Sequence, residues 1–164
     1  EDNVVEEASY GIRIYGGVNA ILRNNRFRPR AGSGYGVYIY ENARVRLEGN
    51  DIQGAARGGV LIQGAAQTDL GGGRMVLCGN AEPSAGGNIL KGSLPADLVN
   101  ETDNTVMAKY NSWDHQTASE VLSLDIRGPA EVEPMGRSAI TSRTKVTASP
   151  VFSGSQSSHR MERR

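Results

Sequence analysis

An asparagine followed two places later by an apolar residue recurs along this chain of 164 residues, at Asn3-x-Val5, Asn25-x-Phe27, Asn50-x-Ile52, Asn88-x-Leu90 and Asn111-x-Trp113. The steps between these sites are 22, 25, 38 and 23 residues. Most fall in the range of repeat proteins, so the chain reads as a stack of similar units. In the long gap, Gly73-x-Met75 reads as a degenerate copy, because Thr68-x-Leu70 precedes it at the offsets at which Val45-x-Leu47 precedes Asn50. The steps then become 22, 25, 23, 15 and 23. The short one marks "GGGRMVLCGNAEPSAGG" as an irregular turn or a protruding loop.

Two repeat folds place asparagine after a strand such as "VRLEGNDI" (45–52). Leucine-rich repeats do so, but follow the strand with a convex segment carrying its own leucines. Here the partner segment is a second strand, in "YGIRIY" (10–15), "YGVYIY" (35–40) and "GGVLIQ" (58–63), each a glycine followed by apolar residues at the first and third places after it. Two or three short strands per repeat, with no helical period, predict an all-β right-handed parallel β-helix of about five to six turns over residues 1–135. Asparagine tolerates the left-handed backbone of a tight corner, and its amide both donates and accepts. Asn3, Asn25, Asn50, Asn88 and Asn111 are therefore expected to form a structural ladder along one corner.

Composition narrows the function classes. Eighteen basic residues balance eighteen acidic ones, so the field that would draw in nucleic acid is missing, although arginine far outnumbers lysine. One cysteine excludes an internal disulfide and a cysteine-based zinc site. No apolar stretch is long enough for a membrane span. The opening "EDNVVEEAS" starts as if in mid-repeat, which predicts that the chain is the C-terminal part of a longer solenoid, possible partner domains included. From Gly136 to Arg164 the chain is rich in serine and arginine with little periodicity, as expected of a disordered tail.

The run "TDLGGG" (68–73), "SAGGNILKG" (84–92), "ADLVNETDNTVMAKYNSWD" (96–114) and "SLDIRGP" (123–129) resembles the right-handed β-helix proteins grouped as domain of unknown function 1565, themselves similar to pectin-lyase-like and NosD-type repeats. The insertion "RMVLCGNAEP" departs from that pattern. The resemblance implies a secreted or cell-envelope protein and assigns no reaction.

Enzymes of this architecture need calcium-binding carboxylates with an arginine base, or aspartates clustered on adjacent turns. In the register above, acids and bases alternate at the positions beside the ladder, which points to mutual neutralisation at a solvated face. Asp97, Asp103, Asp114 and Asp125 fall in the last turns, and only Asp114 has a histidine beside it, a surface pair rather than an acid–base dyad. No histidine set has metal spacing, so no metal or cofactor is expected and no residue is assigned to catalysis. Cys78, in "MVLC", reads as a small buried residue, and Trp113 as the side chain that seals the last full turn. Asn100-Glu-Thr102 is a glycosylation sequon.

With Ile12, Ile14, Val37, Ile39, Val60 and Ile62 facing inward, strand parity sets Arg13, Tyr15, Tyr38, Tyr40, Leu61 and Gln63 on the outside. Tyrosines and an arginine on one flat wall suit the stacking of sugar rings with bonds to their hydroxyls. The expectation is a non-catalytic extracellular or cell-envelope module that binds polysaccharide through Arg13, Tyr15, Tyr38, Tyr40 and Gln63. The alternative is a fragment of a polysaccharide lyase or hydrolase whose active site lies in preceding turns.

Overall fold

The computed structural model describes residues 1–133 and Met135. The tail expected from Gly136 lies outside the described residues. The chain winds through five turns of a parallel β-helix, with three strands in each complete turn. Turn 1 holds β1 (Val4–Glu6), β2 (Tyr10–Ile14) and β3 (Asn19–Arg23); turn 2 holds β4 (Arg26–Arg28), β5 (Tyr35–Ile39) and β6 (Arg44–Glu48). Turn 3 holds β7 (Asp51–Gln53), β8 (Val60–Ile62) and β9 (Gln67–Gly71), and turn 4 holds β10 (Ile89–Lys91), β11 (Leu98–Asn100) and β12 (Val106–Ala108). In turn 5 a short helix α1 (Ala118–Glu120) runs on into one π-helical turn (Val121–Asp125) before β13 (Ile126–Arg127) and β14 (Ala130–Glu131).

Equivalent strands of successive turns pair in parallel and make three sheets. Sheet A is β1-β4-β7-β10, sheet B is β2-β5-β8-β11-β13 and sheet C is β3-β6-β9-β12-β14. Strand parity decides the core. Val37, Ile39, Val45, Leu47, Ile52, Val60, Ile62, Leu70, Leu90 and Leu98 are all fully buried inside the coil. Each such side chain contributes roughly 1.5–3 kcal/mol of transfer free energy.

The glycine that precedes the inward pair of the sheet B segments in turns 1 to 3 has a steric cause. A Cβ on Gly11 would lie 2.3 Å from the Gly36 carbonyl oxygen, one on Gly36 2.5 Å from that of Gly59, and one on Gly59 2.5 Å from that of Asp97. Successive turns meet backbone to backbone in this column, and any side chain would push them apart.

The ladder runs without a break through all five asparagines. The Asn3 side-chain amide donates to Asn25 Oδ1 at 3.0 Å, Asn25 to Asn50 at 2.9 Å, Asn50 to Asn88 at 3.0 Å and Asn88 to Asn111 at 2.9 Å. Asn25, Asn50, Asn88 and Asn111 are buried. Gly73-x-Met75 is thus not a turn of the repeat. Thr68 does align with Val45 in β9, but the chain then leaves the coil and returns at Asn88. The Gly72 N–H donates to Ser84 O and the Ser84 N–H to Gly73 O, each at 2.8 Å, closing the neck of this excursion. A closed neck lets the ladder skip the insertion at no cost in register.

Two other expectations change. Cys78 is exposed rather than buried, with a left-handed backbone (φ 50°) in the tight hairpin where Leu77 and Asn80 bridge. Apolar neighbours in sequence do not bury a residue at a loop tip. The sequon Asn100 is buried, and its amide donates to Asn104 O and Pro129 O at 2.8 Å each, so its nitrogen is not presented for modification. Trp113 packs into the core as expected, with Val121 and Ile126 of the shorter fifth turn beside it.

Candidate functional site

The outer face of sheet B gathers every residue expected there and adds two more tyrosines. Arg13 and Tyr38 are direct register partners on β2 and β5, as are Tyr10 and Tyr35. The rings form a continuous stack: Tyr15 to Tyr40 at 5.1 Å between centroids, Tyr40 to Tyr38 at 4.6 Å, Tyr38 to Tyr35 at 5.3 Å and Tyr35 to Tyr10 at 5.8 Å. The interplanar angles are 17° to 33°. The Arg13 guanidinium lies over Tyr10, Tyr38 and Tyr40, 5.1 to 5.7 Å from their centroids, and donates to the Tyr40 hydroxyl at 3.0 Å. Each arginine–ring contact of this kind contributes about 0.5–1 kcal/mol where water reaches it.

This geometry differs from a flat wall. The rings stand on edge and spend their faces on one another, so the surface offered to a ligand is a ribbon of ring edges and hydroxyls, closed by the open ring of Tyr15, 55% exposed. Gln63 is tied into the ribbon, accepting from the Tyr38 hydroxyl and donating to Glu101. Burial pushes the Tyr38 phenol above its ordinary pKa, helped by Tyr35 and Tyr40 and opposed by Arg13, so it remains a neutral donor. Leu61 points outward by parity, yet it is buried against Ala96 and Val99, with Tyr35 and Tyr38 packed on the same cluster. Tyr10 and Tyr35 escape a reading by parity because each stands two places before an inward residue, Ile12 and Val37, and alternation alone would send them inside.

The outer face of sheet C carries charges under the excursion. Arg46 is 1% exposed and donates to Glu48, which also accepts from Arg23 at 2.8 Å and from the Ala85 N–H at 3.4 Å. Burial by itself would raise the Glu48 carboxyl, but the hydrogen bonds from Arg23 and Arg46 hold it below its ordinary pKa. On sheet A, Asp51 pairs with Arg28 at 2.5 Å and with Arg26 at 3.8 Å. The alternating charges thus meet across turns, as their spacing implies.

A third group assembles at the corner between sheets A and B. Asp97, Asp114 and Asp125 place carboxylate oxygens within 4.8 Å of one another. Asp97 lies on turn 4 and Asp114 and Asp125 on turn 5, and the loops that carry them close the distance, which the alternation beside the ladder does not reveal. Asp97 Oδ1 accepts from the Ser93 N–H at 2.9 Å, Asp114 from the Gly92 N–H at 2.7 Å, and Asp125 from the His115 N–H at 3.0 Å. His115 Nδ1 lies 2.7 Å from Asp125 Oδ1, so the histidine's partner is Asp125 and not its sequence neighbour. Burial pushes Asp97 up to about 7, with Asp114 and Asp125 adding to the effect.

Oxygen ligands in such a group suit a hard cation, calcium in particular, which takes six to eight of them. Three carboxylates already engaged by loop N–H groups supply half of such a shell. Asp97 and Asp125 are buried. The corner therefore reads as a device that holds loops 92–97 and 114–125 together.

A family model described as the right-handed β-helix region matches residues 1–81. Neither the curated proteins nor the solved structures compared with the chain gave a match. Among the described residues no helix is long and apolar enough to cross a membrane. The matched region spans turns 1 to 3 and the start of the excursion, the same ladder register continues through turns 4 and 5, and the chain is accordingly a right-handed parallel β-helix of five turns.

Proposed function

We propose that this chain is a non-catalytic β-helix module that binds polysaccharide along the outer face of sheet B, outside the cell or at its envelope, and that it belongs with the β-helix proteins grouped as domain of unknown function 1565. The observation that carries the reading is the tyrosine–arginine ribbon. Five rings with centroids 4.6 to 5.8 Å apart, crossed by Arg13, form an amphipathic strip with an open ring at Tyr15. Pre-stacked rings lose little conformational freedom on binding, and their hydroxyls lie where sugar hydroxyls would meet them.

The strip suits an extended chain better than a single sugar, because it crosses two turns of the coil. Rings bound by neighbouring units would share one surface. An oligosaccharide array probed with the chain tests this, followed by titration calorimetry on any hit with Tyr15→Ser and with Tyr38→Ser/Tyr40→Ser. Loss of binding in both variants, with melting temperatures close to the parent's, is the expected result. An array without signal, or variants that bind like the parent, would leave the face as a protective cover for the sheet.

A further inference from the structure

The charges of the coil are sorted by sheet. On sheets A and C, Arg23 pairs with Glu48 at 2.8 Å and with Glu1 at 3.0 Å, Arg26 and Arg28 share Asp51, and Arg46 pairs with Glu48. Arginines beside the tyrosine ribbon stand otherwise. Arg13 on β2, and Arg30 and Arg57 in the corner loops before β5 and β8, are exposed, and none has a carboxylate within 4 Å among the described residues.

Tyr10 is where these cations gather. Its ring is the nearest of the three beneath the Arg13 guanidinium, at 5.1 Å. The same tyrosine lines an open cavity of about 310 Å³ whose wall includes Arg57, Ser9, Ser33 and the glycines Gly32 and Gly34. Arg13 donates to the Tyr40 hydroxyl and keeps further N–H groups for a ligand, since a guanidinium has several. Two acids of the face lie at its opposite edge: Glu41 and Glu101 follow the C-terminal ends of β5 and β11, and Glu101 accepts from Gln63. Glu7, in the corner loop before β2, is the one acid at the Tyr10 edge, against three arginines, so that edge is left positive.

A guanidinium offers paired N–H donors that match the oxygens of a carboxylate or sulfate, and a positive edge beside stacked rings favours anionic ligands over neutral ones. Given a polysaccharide-binding face, as proposed, we infer that its ligand is acidic, with carboxylate or sulfate groups received at the Tyr10 edge by Arg13 and Arg57 while the sugar rings follow the tyrosine ribbon.

Titration calorimetry on the whole chain with matched hexasaccharides tests the charge class: mannuronate, glucuronate and galacturonate chains against neutral mannose, glucose and galactose chains of the same linkage, with a sulfated glucose chain beside them. At least one acidic member is expected to bind about tenfold more tightly than its neutral counterpart, a gap that narrows as salt is raised. Arg13→Gln and Arg57→Gln should each weaken that binding by about threefold, the size of one exposed ion pair, and by about tenfold together. Arg74→Gln removes the same charge from an exposed position in the excursion and should leave it unchanged. A neutral chain that binds as tightly as its acidic counterpart, or acidic binding that Arg74→Gln weakens as much as Arg13→Gln and Arg57→Gln do, would overturn the acidic class and leave the polysaccharide reading standing. No binding by any member would overturn both. Binding of the sulfated chain alone would uphold the acidic class with sulfate as the group received.

Discussion

Asn50 and Asn88 are 38 residues apart in sequence and directly bonded in space: the Asn50 backbone N–H and its side-chain amide both donate to Asn88 Oδ1, at 2.9 and 3.0 Å. The same oxygen-to-two-donors pattern joins Asn25 to Asn50 and Asn3 to Asn25. Each interior asparagine therefore serves the turn before it and the turn after it.

Asn50→Ala removes the acceptor for both donors of Asn25 and leaves Asn88 Oδ1 short of one donor. The expected cost is roughly 1–3 kcal/mol, read from urea unfolding. Asn80→Ala, in the excursion, loses only a bond from the Glu82 N–H and should cost little. Equal losses in the two variants would contradict the ladder register.

The glycine column gives a steric prediction. Gly36→Ala brings a methyl within 2.3 Å of the Ile52 side chain and 2.5 Å of the Gly59 oxygen, whereas Gly17→Ala meets nothing within 4 Å. Overpacking of this kind costs about 1–3 kcal/mol, so the melting temperature should drop for Gly36→Ala and hold for Gly17→Ala.

The pair beneath the excursion is expected to be asymmetric. Glu48→Ala strands the Arg46 guanidinium, whose Nε and Nη1 already lack partners, and should cost about 3–5 kcal/mol. Arg46→Met leaves Glu48 bonded to Arg23 and the Ala85 N–H, and should cost much less. Denaturant midpoints of the two variants check the order.

Stability should fall as pH rises from about 4 to 8. Asp97 titrates near 7 in the folded chain against an ordinary 3.8, so folding takes up a proton between those values, and the stabilisation present below the lower value is lost as pH climbs through the upper. His115, raised above 6.5 by its bond to Asp125, acts in the same direction: its contribution is complete below 6.5 and vanishes as pH passes its folded value. Melting curves across this range should show the decline, and Asp97→Asn should flatten its acidic part. A parent whose melting temperature rises over the same interval would contradict both assignments.

The repeat, the inward parity and the asparagine corner were legible in the sequence because each is local: a strand alternates with period two wherever it lies, and a tight corner selects asparagine by backbone conformation alone. Ile14, Val37, Ile39, Val60 and Ile62 are buried for that reason. The excursion was misread by one turn because Thr68-x-Leu70 is a true strand, and sequence spacing cannot tell a closed neck at Gly72 and Ser84 from the next corner. What only the tertiary structure decided is which residues of different turns meet. Tyr10 and Tyr35 join the tyrosine stack, Asp97, Asp114 and Asp125 converge, and Asp69 stands opposite Arg46, because contacts between turns depend on loop paths and on the exact stagger of the coil. Stacking turns of 22, 25, 38 and 23 residues on one ladder fixes the strands alike while leaving each loop its own course, so the core follows from the pattern and the sites follow from the loops.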